Sequence, residues 1–510
     1  MSVSSTTVPA TVPVTAAVTD SAVDPAADPA AVAVETGSAN SSLPVVIQGG
    51  MGAAVSSWRL ARAVSQTGQL GVVSGTAMDV VLARRLQDGD EGGHMRRALD
   101  NFPLPEMAAR IGKKYFLEGG RTQGQPYHPV PKLSMVTSQA CQELTVVSNF
   151  VEVWLAKEGH AGVVGINLLE KIQMATPCAA YGAMLAGVDY VLMGAGIPKE
   201  IPRLLDQLAV HGTGSLNLHV DGATQDYTVE LDTQAFTGGG LAPLLRPKFL
   251  AIVSAHVLAA FLAREDRTRP DGFVVEGPRA GGHNAPARGR PVLDDDGQPV
   301  FGPRDDADLA KIAAVGLPFW LAGGYATADQ VTQAREAGAA GVQVGTLFAL
   351  SAESGITPAI RQEMLTKLGL DELKVRTDPR ASPTGFPFKV ATLEGTLSQQ
   401  EEYLARPRLC DLSYLRTPYE RKPGDLGYRC ASEPVHMYLR KGGDLADTVG
   451  RKCLCNGLMA DIGIGQERRD GYNEGPIVTL GADLEGVKAM LTDLPGGWTA
   501  VQAVNRLLGL

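Results

Sequence analysis

The sequence lacks an apolar run long enough to span a membrane. Its longest apolar stretches are interrupted by glycine or by a charged residue well short of the roughly 18 residues that a membrane-spanning helix requires. No run of basic residues interleaved with aromatic ones is present, and the formal net charge is -9. A negative net charge disfavours nucleic acid and anionic lipid as partners. We therefore predict a cytoplasmic protein that binds neither a membrane nor nucleic acid.

Cysteine is scarce, with six residues in a chain of 510. So low a density, without a secretory signal, predicts reduced thiols rather than a disulfide framework. The C-terminal part contains Cys410, Cys430, Cys453 and Cys455. A four-thiolate zinc or iron–sulfur site is the alternative for these residues, but the C-x2-C pair that would favour it is missing. We predict ordinary thiols and no metal.

The first 42 residues lack aromatic and basic side chains altogether. They consist almost entirely of Ala, Val, Thr, Ser, Pro and Asp, so they have neither the charged start nor the continuous apolar segment of a signal peptide. Such a composition cannot form a packed core. We predict a disordered leader over residues 1–42, with an anchor or docking tail as the alternative.

From residue 43 onward, short runs rich in Val, Ile and Leu alternate with amphipathic helical stretches. This alternation is typical of parallel strands covered by helices. Eight strands are predicted, at 45–48, 70–74, 162–168, 190–194, 249–254, 272–276, 318–322 and 341–345. Eight strands in series favour an α/β fold of the TIM (β/α)8 type, with an open doubly wound sheet as the alternative.

The predicted barrel spans residues 43–370 and is interrupted twice. Residues 85–160 form a long excursion, and residues 215–240 contain two strands around the Asp-Gly turn signal at 221–222, which predicts a β-hairpin. After residue 370 the sequence becomes rich in Pro, Arg and Tyr. We predict that residues 371–510 form an extension or lid rather than a further strand–helix unit.

The most informative segment runs from an apolar strand into a glycine-rich turn with one histidine, at residues 272–284. Glycines at 277, 281 and 282 allow a ligand to approach the backbone closely, and His283 can transfer a proton to or from it. A histidine that merely closes the turn is the structural alternative. His219 and His256 are predicted to be structural.

Further glycine-rich turns follow other predicted strands. Residues 321–325 and 341–346 come after the last two strands, where barrel enzymes commonly bind a phosphate through backbone N–H groups. Residues 48–52, Gln-Gly-Gly-Met-Gly, give a low wall for a flat ring. The spacings of dinucleotide and P-loop motifs are absent from this first turn. The sequence thus predicts a planar cofactor that carries a phosphate.

Five short motifs together resemble the nitronate monooxygenase family, formerly called 2-nitropropane dioxygenases. They are Gln48-Gly49-Gly50-Met51, Gly165-Ile166-Asn167-Leu168, Ala280-Gly281-Gly282-His283, Ala322-Gly323-Gly324 and Gln343-Val344-Gly345-Thr346. The resemblance covers about residues 43–355 and implies an FMN-containing TIM barrel that oxidises alkyl nitronates with O2 to a carbonyl compound and nitrite. Related trans-acting enoyl reductases of fatty-acid and polyketide synthesis share the barrel and the FMN but transfer hydride.

The resemblance also implies roles for individual residues. His283 would be the catalytic base or the group that binds a nitro anion. The residues expected to bind FMN are Gln48, Gly49, Gly50, Met51, Asn167, Ser254, Gly281, Gly282, Gly323, Gly324, Gly345 and Thr346. The family usually has an acidic residue at the position of Arg279 and Ala-Pro where this chain has Gly49-Gly50. Arg279 and Asn284 are therefore candidate substrate contacts, with a surface ion pair as the alternative for Arg279.

Three functions remain open from the sequence. The first is an FMN-dependent monooxygenase that acts on a nitronate or a related carbanion with O2. The second is a flavin enoyl reductase that uses NAD(P)H and an acyl thioester, because a barrel flavoenzyme can bind nicotinamide by stacking alone. A flavin-binding scaffold without activity is the third, which His283 disfavours. We keep a homodimer as a hypothesis for the oligomeric state.

Overall fold

A computed structural model describes residues 43–510 of the chain, and the predicted leader at 1–42 lies outside the described residues. Eight parallel strands form one sheet. In chain order, the strands of the structure are β1 (Val46–Gln48), β2 (Gly71–Ser74), β3 (Val164–Leu169), β4 (Tyr190–Gly194), β5 (Thr213–Asn217), β6 (Thr228–Asp232), β7 (Lys248–Val253), β8 (Gly272–Glu276), β9 (Phe319–Ala322), β10 (Gly341–Val344), β11 (Val375–Asp378), β12 (Phe388–Ala391), β13 (Thr417–Lys422) and β14 (Asp425–Arg429).

The eight-stranded sheet closes into a barrel. Its order is β1-β10-β9-β8-β7-β4-β3-β2, and the two end strands meet through Gln48 N donating to Leu70 O at 2.9 Å and Leu70 N donating to Val46 O at 3.1 Å. Side chains that point inward form a compact apolar cluster at the barrel axis, which includes Val72, Leu192 and Trp320. The predicted (β/α)8 fold is confirmed, and the open doubly wound sheet is excluded because both edges are paired.

Helices cover the outside of the barrel and build most of the insertion between β2 and β3. The helices of the structure are α1 (Trp58–Ser65), α2 (Met78–Gln87), α3 (His94–Leu99), α4 (Pro105–Tyr115), α5 (Gln139–Lys157), α6 (Thr176–Leu185), α7 (Ile201–Ala209), α8 (Thr233–Thr237), α9 (His256–Ala263), α10 (Leu309–Ala313), α11 (Ala328–Glu336), α12 (Thr346–Ala349), α13 (Pro358–Gly369), α14 (Gln400–Ala405), α15 (Val435–Arg440), α16 (Leu454–Asp461), α17 (Glu485–Asp493) and α18 (Ala500–Leu508). None of the helices within residues 43–510 is long and apolar enough to cross a membrane.

The predicted hairpin exists, but its first strand begins earlier than expected. β5 and β6 pair antiparallel with Leu216 opposite Val229. His219 and Val220, which were predicted to continue the first strand, lie outside β5, and Asp221 of the predicted turn pairs with another segment instead. Asp221 N donates to Pro418 O at 2.9 Å, and Glu420 N donates to Asp221 O at 3.0 Å. The strand boundary therefore depends on a partner about 200 residues away, which no local pattern reveals.

The part of the chain after residue 370 folds over the carboxyl ends of the barrel strands. Strand β12 lies beside the histidine turn, where Lys389 N donates to Gly282 O and Asn284 N donates to Pro387 O, each at 2.9 Å. Farther along, Arg406 and Glu474 form a buried bidentate ion pair, with N···O distances of 2.8 and 3.0 Å. Removing one partner of such a pair leaves a buried charge uncompensated, so this pair ties the C-terminal segments to each other.

Candidate active site

A cavity of about 240 Å³ lies at the carboxyl ends of the barrel strands. The turns after β1, β3, β8, β9 and β10 line it from below because parallel strands present their carboxyl ends on one face. Residues after 370 line the opposite side, namely Phe388, Tyr414, Leu415, Leu454, Cys455, Leu458, Met459, Thr479, Leu480, Gly481, Asp483 and Val487. The site is thus a barrel mouth covered by the C-terminal part of the chain.

The structure brings most of the predicted site residues together around this cavity. The predicted residues that line it are Gly49, Gly50, Met51, Asn167, Arg279, Gly281, Gly282, His283, Gly323, Gly324, Gly345 and Thr346. Asn167 lies near the end of β3 and Thr346 begins α12, whereas the others lie in turns that follow barrel strands. These residues are distant in the sequence, so the closed barrel is what makes them neighbours.

The turn after β1 presents its backbone to the cavity, with Gly50 close to Asn167. A Cβ on Gly50 would lie 2.3 Å from the Cβ of Asn167, a distance that van der Waals repulsion forbids. Asn167 Nδ2 donates to Gly50 O at 3.0 Å. Only glycine therefore allows the first turn to lie against β3, and this close approach forms one flat wall of the cavity.

Two buried amide oxygens at the cavity have no hydrogen-bond partner among residues 43–510. They are Oδ1 of Asn167 and Oε1 of Gln343. A buried carbonyl oxygen without a partner destabilises the fold unless a ligand supplies a donor. The pyrimidine edge of a flavin carries an N–H group of this kind, so the two amides fit the ring of FMN.

The turns after β9 and β10 fit the phosphate of FMN. Gly323 and Gly324 have φ angles of +93° and +107°, a region that L side chains rarely adopt. Gly345 precedes the first turn of α12, and Thr346 begins that helix. Backbone N–H groups in such turns bind phosphate oxygens directly. The residues present at this end of the cavity therefore suit a phosphate group.

His283 lines the same cavity and is held by the C-terminal part of the chain. Its Nε2 lies 2.7 Å from Ser382 Oγ, and its ring packs edge-on against Phe388 with centroids 4.9 Å apart. The Ser382 hydroxyl is itself 2.8 Å from Thr384 Oγ1. With Nε2 engaged by Ser382, Nδ1 is the nitrogen left for a ligand.

Burial keeps the imidazole neutral. Desolvation lowers the pKa of His283 to about 4, and the positive charge of Lys171 lowers it further in the same direction. The imidazolium form is thus a minor species near neutral pH. Of the two roles that the sequence leaves open, binding a nitro anion by a charged imidazole is disfavoured.

Glu276 and Lys389 form an ionisable pair on the two strands that flank the histidine turn, β8 and β12. Glu276 ends β8 and lines the cavity, while Lys389 on β12 is buried and donates to Thr377 Oγ1 at 2.6 Å. Burial raises the pKa of Glu276 to about 7, an effect that Lys389 opposes. Burial also lowers the pKa of Lys389 to about 8. Glu276 therefore exchanges a proton in the neutral pH range.

Comparisons with known proteins agree with the position of these turns. A family model described as nitronate monooxygenase matches residues 245–383. This segment is therefore similar to the nitronate monooxygenase family. The resemblance predicted from the motifs is confirmed. The family segment contains β7 to β10 with His283, both phosphate turns and Ser382, whereas Gly50, Met51 and Asn167 precede it.

The chain is also similar to a protein that is named for another activity. A (3aS,4S,5R,7aS)-5-hydroxy-7a-methyl-1-oxo-octahydro-1H-indene-4-carboxyl-CoA dehydrogenase of Mycobacterium tuberculosis is 28% identical over 231 residues, which are 42% of this chain and 60% of that protein. The chain thus spans about 60% of that relative's length.

Two solved structures are similar at lower identity. The enoyl reductase domain of MlnA from the macrolactin cluster of Bacillus amyloliquefaciens is 13% identical, with a TM-score of 0.46 over 92% of this chain and 95% of that one. Nitroalkane oxidase from Streptomyces ansochromogenes is also 13% identical, with a TM-score of 0.42 over 91% of this chain and 95% of that one.

Three predicted site residues, Gln48, Ser254 and Asn284, do not line the cavity. Gln48 turns inward, where its amide donates to Ser56 Oγ and accepts from Val72 N. Ser254 and Asn284 line a separate, smaller void that Glu276 also borders. Asn284 donates to Ala280 O at 3.0 Å and so stabilises the histidine turn instead of facing the cavity.

The four C-terminal cysteines lie within the described residues as free thiols. Among residues 43–510, no group of three or more His, Cys, Asp or Glu side chains is placed to hold a metal ion. Cys410 and Cys430 interact as a thiol pair, which lowers the pKa of Cys410 to about 7. Cys455 lines the cavity, whereas Cys453 is buried and accepts from Asn456 Nδ2.

Sequence reasoning missed every site residue that comes from the C-terminal part, as well as Glu276 and Gln343. The residues after 370 follow no strand–helix period, so their position over the cavity had no local signal. Glu276 and Gln343, by contrast, stand inside motifs that were already singled out. A charged residue at the end of an otherwise apolar strand was the signal for Glu276.

Proposed function

We propose that the protein is an FMN-dependent oxidoreductase that reduces an α,β-unsaturated acyl thioester with NAD(P)H. The observation that carries this proposal is the apolar surface that the C-terminal part places over the cavity. Leu415, Leu454, Leu458 and Met459 lie there together, opposite the barrel turns. An apolar wall of this kind suits an acyl chain, since burying such a chain is favourable by about 0.8 kcal/mol for each CH2 group.

FMN would be held by residues from both halves of the barrel. Gly50, Met51 and Asn167 would contact the ring with Gln343, and the turns at 323–324 and 345–346 would bind the phosphate. Once bound, FMN supplies hydride transfer between a nicotinamide and a substrate carbon. The protein's own contribution is to hold the reacting carbon of the substrate against the flavin ring and to exclude water from the cavity.

The neutral His283 fits the reduction of an enoyl thioester. His283 lines the cavity and its Nε2 is engaged by Ser382, so in this proposal an N–H at Nδ1 donates to the thioester carbonyl and orients it. In the balanced reaction NAD(P)H provides two electrons and a proton as hydride to the β-carbon, and a second proton reaches the α-carbon. Glu276, which is half protonated near pH 7, is the residue at the cavity that can supply a proton at that pH.

Oxidation of a nitronate by O2 is the second candidate function. The family description of residues 245–383, the segment that contains His283, favours it. The lowered pKa of His283 counts against proton abstraction from a neutral nitroalkane, because a base with a pKa of about 4 is weak. A preformed nitronate requires no base, so it is the form of this substrate that the site would accept.

Anaerobic mixing of the purified holoprotein with single reductants separates the two candidates. We expect NADPH or NADH to bleach the flavin absorbance quickly and crotonyl-CoA to restore it. Propionate 3-nitronate is expected to cause little bleaching. Rapid bleaching by the nitronate together with no response to either nicotinamide would overturn the acyl-thioester proposal in favour of the monooxygenase. A protein without bound flavin after reconstitution would contradict both.

Replacing Leu458 with asparagine tests the apolar wall directly. We expect the KM for a medium-chain enoyl thioester to rise by about tenfold, because the buried acyl chain loses apolar contact, while the KM for NADPH is unchanged. The exposed Leu439 provides a matched control, and Leu439→Asn is expected to leave both constants within twofold of wild type. Equal effects of the two variants would show that the wall does not contact substrate.

A further inference from the structure

A short segment of the C-terminal part, residues 479–483, crosses the phosphate end of the cavity; we name it the strap. Three hydrogen bonds hold the strap to two barrel turns. Gly282 N donates to Thr479 Oγ1 at 2.9 Å and Gly481 N donates to Thr346 Oγ1 at 2.9 Å. Ala482 N donates to Arg279 O at 2.8 Å. The strap therefore bridges the histidine turn and the turn after β10.

The strap places a carboxylate beside the glycine pair that fits a phosphate. Asp483 Oδ2 lies 2.9 Å from the position that a Cβ on Gly324 would take. Arg279 Cδ lies 3.7 Å from the same position, and Arg279 Nη1 donates to Asp483 Oδ2 at 3.0 Å. A cation and an anion thus meet at the turn where FMN's phosphate is expected.

The two partners of this ion pair differ in their surroundings. The Asp483 side chain is 14% exposed, whereas that of Arg279 is 67% exposed. Arg279 can therefore turn without leaving water, while Asp483 is held at the phosphate turn by the strap. A phosphate dianion next to Asp483 would meet a like charge, which destabilises binding unless a cation lies between them. Arg279 is placed to be that cation, and its guanidinium can form paired hydrogen bonds to phosphate oxygens.

We infer that Arg279 binds the phosphate of FMN and that Asp483 is its counter-ion while no phosphate is present. This inference rests on the proposed FMN-dependent function. In the flavin-free protein, the carboxylate of Asp483 takes the place of the phosphate beside Arg279. When FMN binds, its phosphate replaces the Asp483 carboxylate as the partner of Arg279. Because this ion pair must break first, Asp483 weakens the affinity for FMN. Riboflavin, which has the same ring but no phosphate, bypasses this exchange.

The test compares FMN with riboflavin on the full-length chain freed of flavin, by quenching of flavin fluorescence. For Arg279→Gln we expect the Kd for FMN to rise at least tenfold and the Kd for riboflavin to change less than twofold. For Asp483→Asn we expect the Kd for FMN to fall three- to tenfold, again with riboflavin unchanged. Arg290, an exposed residue farther along the same loop, supplies the control variant Arg290→Gln, for which neither Kd should change.

The outcomes distinguish this inference from the proposed function. If the wild type binds neither flavin, the FMN-dependent function itself fails. If it binds FMN, but Arg279→Gln and Asp483→Asn leave its Kd unchanged, the ion pair is a surface contact at the rim and the inference is overturned. Equal effects on FMN and riboflavin would overturn it as well, because they would indicate damage to the ring site. Far-ultraviolet circular dichroism of each variant checks that the chain is folded.

Discussion

Replacement of His283 by glutamine is expected to lower kcat for the acyl-thioester reduction by about 10²–10³-fold, the loss typical of removing one hydrogen-bond donor to a developing oxyanion. The imidazole lies between Ser382 and Phe388 with one nitrogen free for the cavity, and glutamine cannot present a donor at that position with the same rigid geometry. Stopped-flow measurement of flavin reoxidation by the enoyl thioester reports the step directly. FMN content is expected to remain unchanged, since the phosphate is assigned to the turns at 323–324 and 345–346 and not to the His283 side chain.

His219 provides the control for this substitution, because its side chain is exposed next to the β5–β6 hairpin. His219→Gln should have wild-type kcat. Ser382→Ala separates positioning from direct contact, because it removes the hydroxyl next to Nε2 but leaves the ring in place. We expect an intermediate loss of kcat with KM nearly unchanged. Full activity of His283→Gln on the enoyl thioester would refute the role of the imidazole.

The pH profile follows from the same site. The pKa of His283 is lowered to about 4, chiefly by burial, so its protonation state is constant above about pH 5 and adds no inflection there. The pKa of Glu276 is raised to about 7, so the protonated donor is present below that pH and is lost above it. The rate is expected to fall as pH rises through 7 in the wild type, and Glu276→Gln should abolish that inflection.

Replacement of Gly50 by alanine is expected to raise the Kd for FMN by about 100-fold or more. The new Cβ would lie 2.3 Å from the Cβ of Asn167, so the first turn and Asn167 must move apart and the wall for the flavin ring is lost. Binding energy for a planar ligand depends on such complementary surfaces, and a loss of about 3 kcal/mol corresponds to this change in Kd. Fluorescence titration with FMN measures it.

The neighbouring glycine is the matched control. A Cβ on Gly49 would make ordinary contacts, the nearest at 3.5 Å to the Gln343 side chain and Val344 O. Gly49→Ala is therefore expected to bind FMN within threefold of wild type. Thermal unfolding of both variants shows whether the barrel itself tolerates the substitutions. A Gly50→Ala protein that folds and retains wild-type affinity for FMN would exclude this turn from the flavin site.

Much of the barrel could be predicted from local pattern. The predicted strands at 190–194 and 272–276 coincide with β4 and β8, and the other six predicted barrel strands differ from the observed ones by one or two residues at their ends. Strands buried on both faces read as short runs of Val, Ile and Leu, so their signal is contained in a few adjacent residues. The hairpin boundary was wrong because Asp221 pairs with residues 418–420 instead of forming the hairpin turn.

The candidate site was predictable only in its glycine turns. Gly323 and Gly324 carry their own signal, since positive φ angles require glycine. Arg279 was read as a substrate contact or as a surface ion pair, and the structure shows the ion pair with Asp483. That partner lies 204 residues along the chain, so the sequence provided no means of choosing between the two.

The sequence by itself determined the eight barrel strands and the histidine turn at residues 277–284, because each depends on hydrophobic period or on glycine within a short window. The tertiary structure decided that the sheet closes, through the pairing of its two end strands. Only the tertiary structure decided what covers the barrel mouth and what surrounds His283. Phe388 and Leu458 line the cavity, and Ser382 contacts His283. All three come from a part of the chain that has no strand–helix repeat, so their positions depend on packing against the finished barrel. That packing removes water from His283, lowers its pKa and gives the cavity its apolar wall.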